Sequence, residues 1–124
     1  MSIPLPFHKQ RRLLIIDPDT ATARGAEAAL SDIFSEICCV ETPAEVVRAL
    51  TEQPFDAILA EVTFPFSEGL SVVRVIRKMS SQAKLVVWSA YATEFEQAMV
   101  TLGVDAVLEK PVSLDVLKRV FKEN

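Results

Sequence analysis

Glycine is scarce, with three in 124 residues. None stands in Asp17-Pro18-Asp19-Thr20, the stretch after the first predicted strand. A phosphate cradle between strand and helix uses glycine so that backbone N–H groups can approach an anion. An acidic loop without glycine argues against a nucleotide or flavin carrier. Histidine occurs once, at His8, and cysteine only at Cys38 and Cys39, too few ligands for a zinc site. Neighbouring side chains on a strand point to opposite faces, so the two cysteines are poorly placed to bridge each other. They are expected to be two small buried hydrophobes. No apolar run approaches the ~20 residues of a membrane helix. Residues 1–10 contain no apolar core of a signal peptide, which makes the cytoplasm the expected compartment. Basic residues are outnumbered, 13 against 17 acidic, for a net charge of -4. Gripping nucleic acid wants a basic face, so neither nucleic acid nor membrane is expected as a direct partner.

Half of the residues are hydrophobic, enough for one sizeable core. Residues 1–11, with Pro4 and Pro6, are expected to be a flexible leader, and residues 12–124 the domain. Leu13 to Ile16 is continuously apolar, as in a parallel strand covered on both faces. Thr20 to about Phe34 has helical spacing at Ala23, Ala26, Leu30 and Ile33. Ile37 to Val40 is a second strand. Thr42-Pro43-Ala44-Glu45 has the form of a capping box with proline in the first turn. Phe55 to Val62 is a third strand region ending on Glu61, and Leu70, Val73 and Ile76 mark the inward face of the next helix. Leu85 to Trp88 is a fourth strand, with Trp88 expected in the core. Phe95, Ala98, Met99 and Leu102 form an amphipathic stripe, and Gly103 stops that helix. Ala106 to Leu108 is a fifth strand. Ser113 caps a last helix that carries Leu114, Leu117, Val120 and Phe121 inward.

Strands alternating with helices over short connections predict an α/β fold. Its expected form is a doubly wound, five-stranded parallel sheet of order 2-1-3-4-5 with five helices, the flavodoxin-like arrangement. In such sheets functional groups gather at the carboxyl ends of the strands, where the order reverses. Asp17, Glu61, Ser89 and Lys110 lie at the ends of strands one, three, four and five.

These residues, with Pro65, Gly69, Ala90 and Pro111, resemble the receiver domain of bacterial two-component response regulators. The resemblance spans Arg12 to Phe121. It implies that acids after the first strand hold magnesium, that the acid ending strand three accepts a phosphoryl group, and that Ser89 and Lys110 contact the phosphoryl oxygens. It also implies a cis Lys110-Pro111 bond. Three positions depart from the family. Glu61 stands where an aspartate is usual, and one extra C–C bond carries its carboxylate roughly 1.5 Å further out. Pro18 stands where a second acid is a magnesium ligand, and Asp19 is the nearest substitute. Val107 stands where an aromatic ring reports phosphorylation.

The expectation is therefore an atypical, or pseudo-, receiver that acts through partner contacts. No catalytic residue and no required cofactor are expected, and magnesium on Asp17 and Glu61 is expected to be weak. Glu61 should pair with Lys110. The alternatives are a working receiver phosphorylated by a histidine kinase, or the receiver piece of a larger transcriptional regulator. Expected partners are proteins: an output domain, a kinase or another signalling protein. A homodimer is expected to use the face of helix four, strand five and helix five, with Glu94, Gln97, Lys118 and Arg119. Phe64 and Phe66 are expected to cover the pocket or touch a partner.

Overall fold

The computed structural model describes residues 11–62 and 66–122, with only the backbone described for residues 66–69 and for Thr93. The elements run β1 (Arg12–Ile16), α1 (Thr20–Leu30), β2 (Glu36–Val40), α2 (Pro43–Glu52), β3 (Ala57–Glu61), α3 (Phe66–Met79), β4 (Lys84–Ser89), α4 (Ala92–Thr101), β5 (Ala106–Glu109) and α5 (Leu114–Lys122). All pairings are parallel and the order is β2-β1-β3-β4-β5. This is the predicted doubly wound sheet.

Period-two alternation splits the apolar strand residues between two cores. Leu14, Ile16, Ile58, Ala60, Leu85 and Val87 face one side, with Val46, Val73, Ile76 and Met99 from α2, α3 and α4 packed on them. Leu13, Ile15, Ala57, Leu59, Val86 and Trp88 face the other, covered by Ala23, Ala26, Leu30, Leu117 and Phe121 from α1 and α5. Because both faces are covered, the central strands read as unbroken apolar runs.

Local signals set several boundaries. The Thr42 hydroxyl accepts from the Glu45 N–H at 3.2 Å, while Glu45 Oε1 accepts from Thr42 N–H at 3.0 Å, completing the capping box. Gly103 follows α4 at φ +88, a backbone conformation that favours glycine. The Arg77 side chain lies against it and donates to Gly103 O, Ala83 O and Asp105 Oδ2, tying α3 to the loops that precede β4 and β5.

Five expectations are corrected. Helix α1 ends at Leu30 rather than near Phe34, because the chain turns there, with Ile33 and Phe34 N–H both donating to Leu30 O. Phe34 still reaches the core, packing edge-on against Phe121 at 5.6 Å. Cys38 is only half-buried and Cys39 is exposed, because β2 is an edge strand with a neighbour on one side alone. Leu114 is 52% exposed, since it is the first residue of α5, at the end of the stripe that Leu117 and Phe121 bury. Lys118 pairs with Asp32 at 3.3 Å, which turns it toward the end of α1. Helix α4 bears the predicted stripe but departs from helical geometry at Phe95, at φ -134. Residues 1–10 of the expected leader, Phe64, Pro65 and the Phe66 side chain lie outside the described residues, while Arg11, the last residue of that leader, is tied to the fold by its N–H, which donates to Ser35 Oγ at 3.1 Å.

Candidate functional site

The carboxyl ends of β1, β3, β4 and β5 meet at one edge of the sheet, and three side chains converge there. Lys110 Nζ donates to Glu61 Oε1 and lies 3.2 Å from Asp17 Oδ2. Both acid side chains are almost wholly buried, at 1% exposure for Asp17 and 3% for Glu61, while Lys110 keeps 22%. Burial opposes the charge of the ammonium. The hydrogen bond and charge of Glu61, then those of Asp17, outweigh it and hold the Lys110 pKa above its ordinary 10.5. The Lys110-Pro111 bond is cis, as the resemblance implied.

A fourth wall of this cluster was not legible in the sequence. Lys110 Nζ sits 4.5 Å from the centre of the Trp88 ring, a cation–π arrangement. Trp88 is in the core as expected, only 4% exposed. Its register opposite Glu61 places the ring beside the acid's own strand position. The available signal was alternation: Trp88 and Glu61 share a rung of a parallel pair whose ends lie at the functional edge.

Asp17 is fully engaged. Its Oδ1 accepts from Asp19 N–H at 2.8 Å and its Oδ2 faces Lys110. Asp19 is turned the other way. Its Oδ1 accepts from Ala21 N–H at 3.0 Å and Thr22 N–H at 3.2 Å, capping α1. Those amide bonds, Thr22 first, lower the Asp19 pKa. Pro18 contributes no side-chain oxygen. Among the described residues no group of three or more His, Cys, Asp or Glu side chains is placed to hold a metal ion.

Ser89 reaches the same edge by its backbone. Its carbonyl accepts from Lys110 N–H at 2.8 Å, but its buried hydroxyl accepts from Tyr91 N–H at 3.0 Å. Val107 is not part of the cluster. It pairs with Val87 in register and packs, partly buried, on the α2–α3–α4 core. Of the predicted residues, the side chains of Asp17, Glu61 and Lys110 come into direct contact, Ser89 touches Lys110 through the backbone alone, and Val107 stands apart.

Comparison with known proteins gives the same frame. The model of the response regulator receiver domain matches residues 13–122. The transcriptional regulatory protein PrrA of Mycobacterium tuberculosis is 31% identical over 104 residues, which are 83% of this chain and 45% of PrrA. The sensor protein GacS of Pseudomonas syringae pv. syringae is 28% identical over 108 residues, 82% of this chain and 12% of GacS. The chain thus spans less than half the length of these relatives. Among solved structures, a response regulator receiver domain protein (CheY-like) from Methanospirillum hungatei JF-1 superposes with a TM-score of 0.83 at 25% identity, covering 93% of each chain. A sensor protein from Polaromonas sp. JS666 does so with a TM-score of 0.78 at 27% identity, covering 90% of this chain and 93% of that one. With a family model matching nearly its whole length, this chain belongs to the response regulator receiver domain family.

Proposed function

We propose that this domain is an atypical receiver that signals through protein contacts, with Glu61 in place of a phospho-accepting aspartate. One observation carries the proposal: the Lys110 ammonium is already held by Glu61 and Asp17 inside the fold. Glutamate supplies one negative charge where a phosphoryl group would supply close to two. It engages the lysine without any donor, so the cluster has a settled arrangement in the unmodified protein. In-line phosphoryl transfer depends on placement, and a nucleophile displaced by a bond length loses orders of magnitude in rate.

The magnesium that the family implies does not fit the donor set as arranged. Asp17 has both oxygens engaged, Asp19 caps a helix and Pro18 offers nothing. Magnesium demands near-octahedral oxygen ligation. Binding would require Lys110 to move aside, and we propose that it is weak and not required for the domain's role.

The partners are proteins: a kinase, an output domain or another signalling protein. The matched segment is less than half of both PrrA and GacS, which supports a role beside other domains. Self-association through α4, β5 and α5 is the assembly we favour. Exposed apolar residues on or next to those helices, Tyr91, Val100 and Leu114, support it. Lys118, turned to Asp32, is not part of that face.

Incubation with acetyl phosphate and magnesium, followed by intact-mass measurement, tests the central claim. Wild-type protein should gain no phosphoryl mass. Glu61→Asp alone should stay inert, and Glu61→Asp with Pro18→Asp should gain it. A phosphoryl adduct on the wild-type chain would instead establish a working receiver.

A further inference from the structure

We propose that the groove between α2 and α3 is a docking site for an amphipathic α-helix of a partner protein, one whose apolar stripe is flanked by acidic residues. The groove shares no residue with the Lys110 cluster, so its test stands apart from the phosphoryl reading.

The lining comes from both helices. Pro43, Val46 and Val47 of α2 face Val72 and Val75 of α3 around a hollow of about 230 Å³, and among the described residues Ser71 is its only polar side chain. A separate hollow at the C-terminal ends of the two helices is lined by Leu50, Glu52 and Met79 among others. Val47, Val75 and Met79 are each at least 40% exposed. Ser71, Val75 and Met79 recur every four residues, one stripe along α3 about 12 Å long, enough for two turns of a docked helix. Apolar side chains in such a stripe recognise a helix through positions i, i+3, i+4 and i+7.

Charge decides what kind of helix. Although the chain carries -4 overall, Arg74 and Lys78 run beside the apolar stripe, one residue ahead of Val75 and Met79. Both are exposed, and among the described residues neither forms an ion pair. On α2, Arg48 is 79% exposed and holds only a 3.6 Å contact with Glu52. The other acid of that helix, Glu45, is turned back to cap it. Of the four cations on the two helices, Arg77 is committed to Asp105, while Arg48, Arg74 and Lys78 are exposed, and carboxylates on a partner complement those three. A second copy is a poorer occupant, because an isologous contact would set like cations against each other. A flat anionic membrane is also poorer, because the apolar residues line a concavity.

The test uses the whole chain and two synthetic helical peptides of about 18 residues. Both carry the same leucine stripe, one flanked by glutamates and the other by lysines. The acidic peptide should shift backbone amide resonances of α2 and α3 and bind about tenfold more tightly than the basic one. Added salt should erode that preference, and Arg74→Glu with Lys78→Glu should reverse it. Val47→Asn with Val75→Asn should weaken binding about tenfold while leaving the far-ultraviolet circular dichroism unchanged. Any of four results would overturn the proposal: no binding of either peptide, equal binding of both, shifts confined to another face, or a dimer that Val47→Asn dissociates. Flotation with anionic vesicles while both peptides fail would reassign the groove to a membrane surface.

Discussion

Lys110 and Trp88 are in cation–π contact, with the ammonium 4.5 Å from the ring centre. The same ammonium bonds Glu61 and Asp17, so an aromatic face and two buried carboxylates enclose one positive charge. Each partner restricts the freedom of a side chain that otherwise carries about 2 kcal/mol of rotamer entropy. Removing one acid leaves the other as a counter-ion. Removing the lysine leaves two buried acids without their cation.

That asymmetry gives a stability prediction. Lys110→Met should lower unfolding free energy by roughly 2–4 kcal/mol near neutral pH, the cost of breaking a buried pair reduced for the partial exposure of the lysine. A lysine whose folded-state pKa is raised stabilises the fold fully below its unfolded value, near 10.5, and the contribution fades as pH rises through the folded value. Urea melts should therefore show a constant gap between wild type and Lys110→Met from pH 7 to pH 10. The gap should close above that range. A gap unchanged at pH 12 would show that the pair contributes through packing alone.

Magnesium binding can be read from Trp88 fluorescence, since the ring touches the cluster. Half-saturation is expected in the millimolar range or weaker. Asp19→Ala should leave that titration unchanged and cost about 1 kcal/mol of stability, because the carboxylate serves the α1 amides. A drop in magnesium affinity without loss of stability would make Asp19 a ligand.

Helix α1 carries Gly25 in its interior, where an added Cβ would meet nothing within 4 Å. Gly25→Ala should stabilise the domain by about 0.5–1 kcal/mol, through helix propensity and a less flexible unfolded chain. Thermal melts monitored by circular dichroism would check the sign, and a destabilised variant would reveal a contact on that face.

Cys39 should be a slow nucleophile despite its exposure. Desolvation of the thiol, then the charge and hydrogen bond of Glu27, push its pKa up to about 11. At pH 8 only about one thiol in a thousand is then ionised, and the thiolate is the reactive form. Alkylation by iodoacetamide, followed on the Cys39 peptide by mass spectrometry, should accelerate severalfold in Glu27→Gln. An unchanged rate would assign the slowness to steric cover.

The sequence by itself determined the alternation of strands and helices, the cap at Thr42, the stop at Gly103 and the set of polar strand ends. These rest on interactions reaching three or four residues along the chain, or on alternation within one strand, so local pattern is enough to read them. It also carried the pairing of Glu61 with Lys110, because the fold leaves a buried acid few cations to meet. Tertiary structure alone decided the rest. Asp19 could cap α1 or join a metal site until the amides of Ala21 and Thr22 were placed. Trp88 could be plain core until Lys110 folded over its ring. Cys39 read as buried because its own stretch, Ile37 to Val40, is as apolar as a strand covered on both faces, and Lys118 read as part of an assembly face until Asp32, 86 residues away in the chain, arrived beside it. Each of these depends on which distant segment packs alongside, and that choice is made by the burial of two apolar faces at once, not by any stretch of sequence on its own.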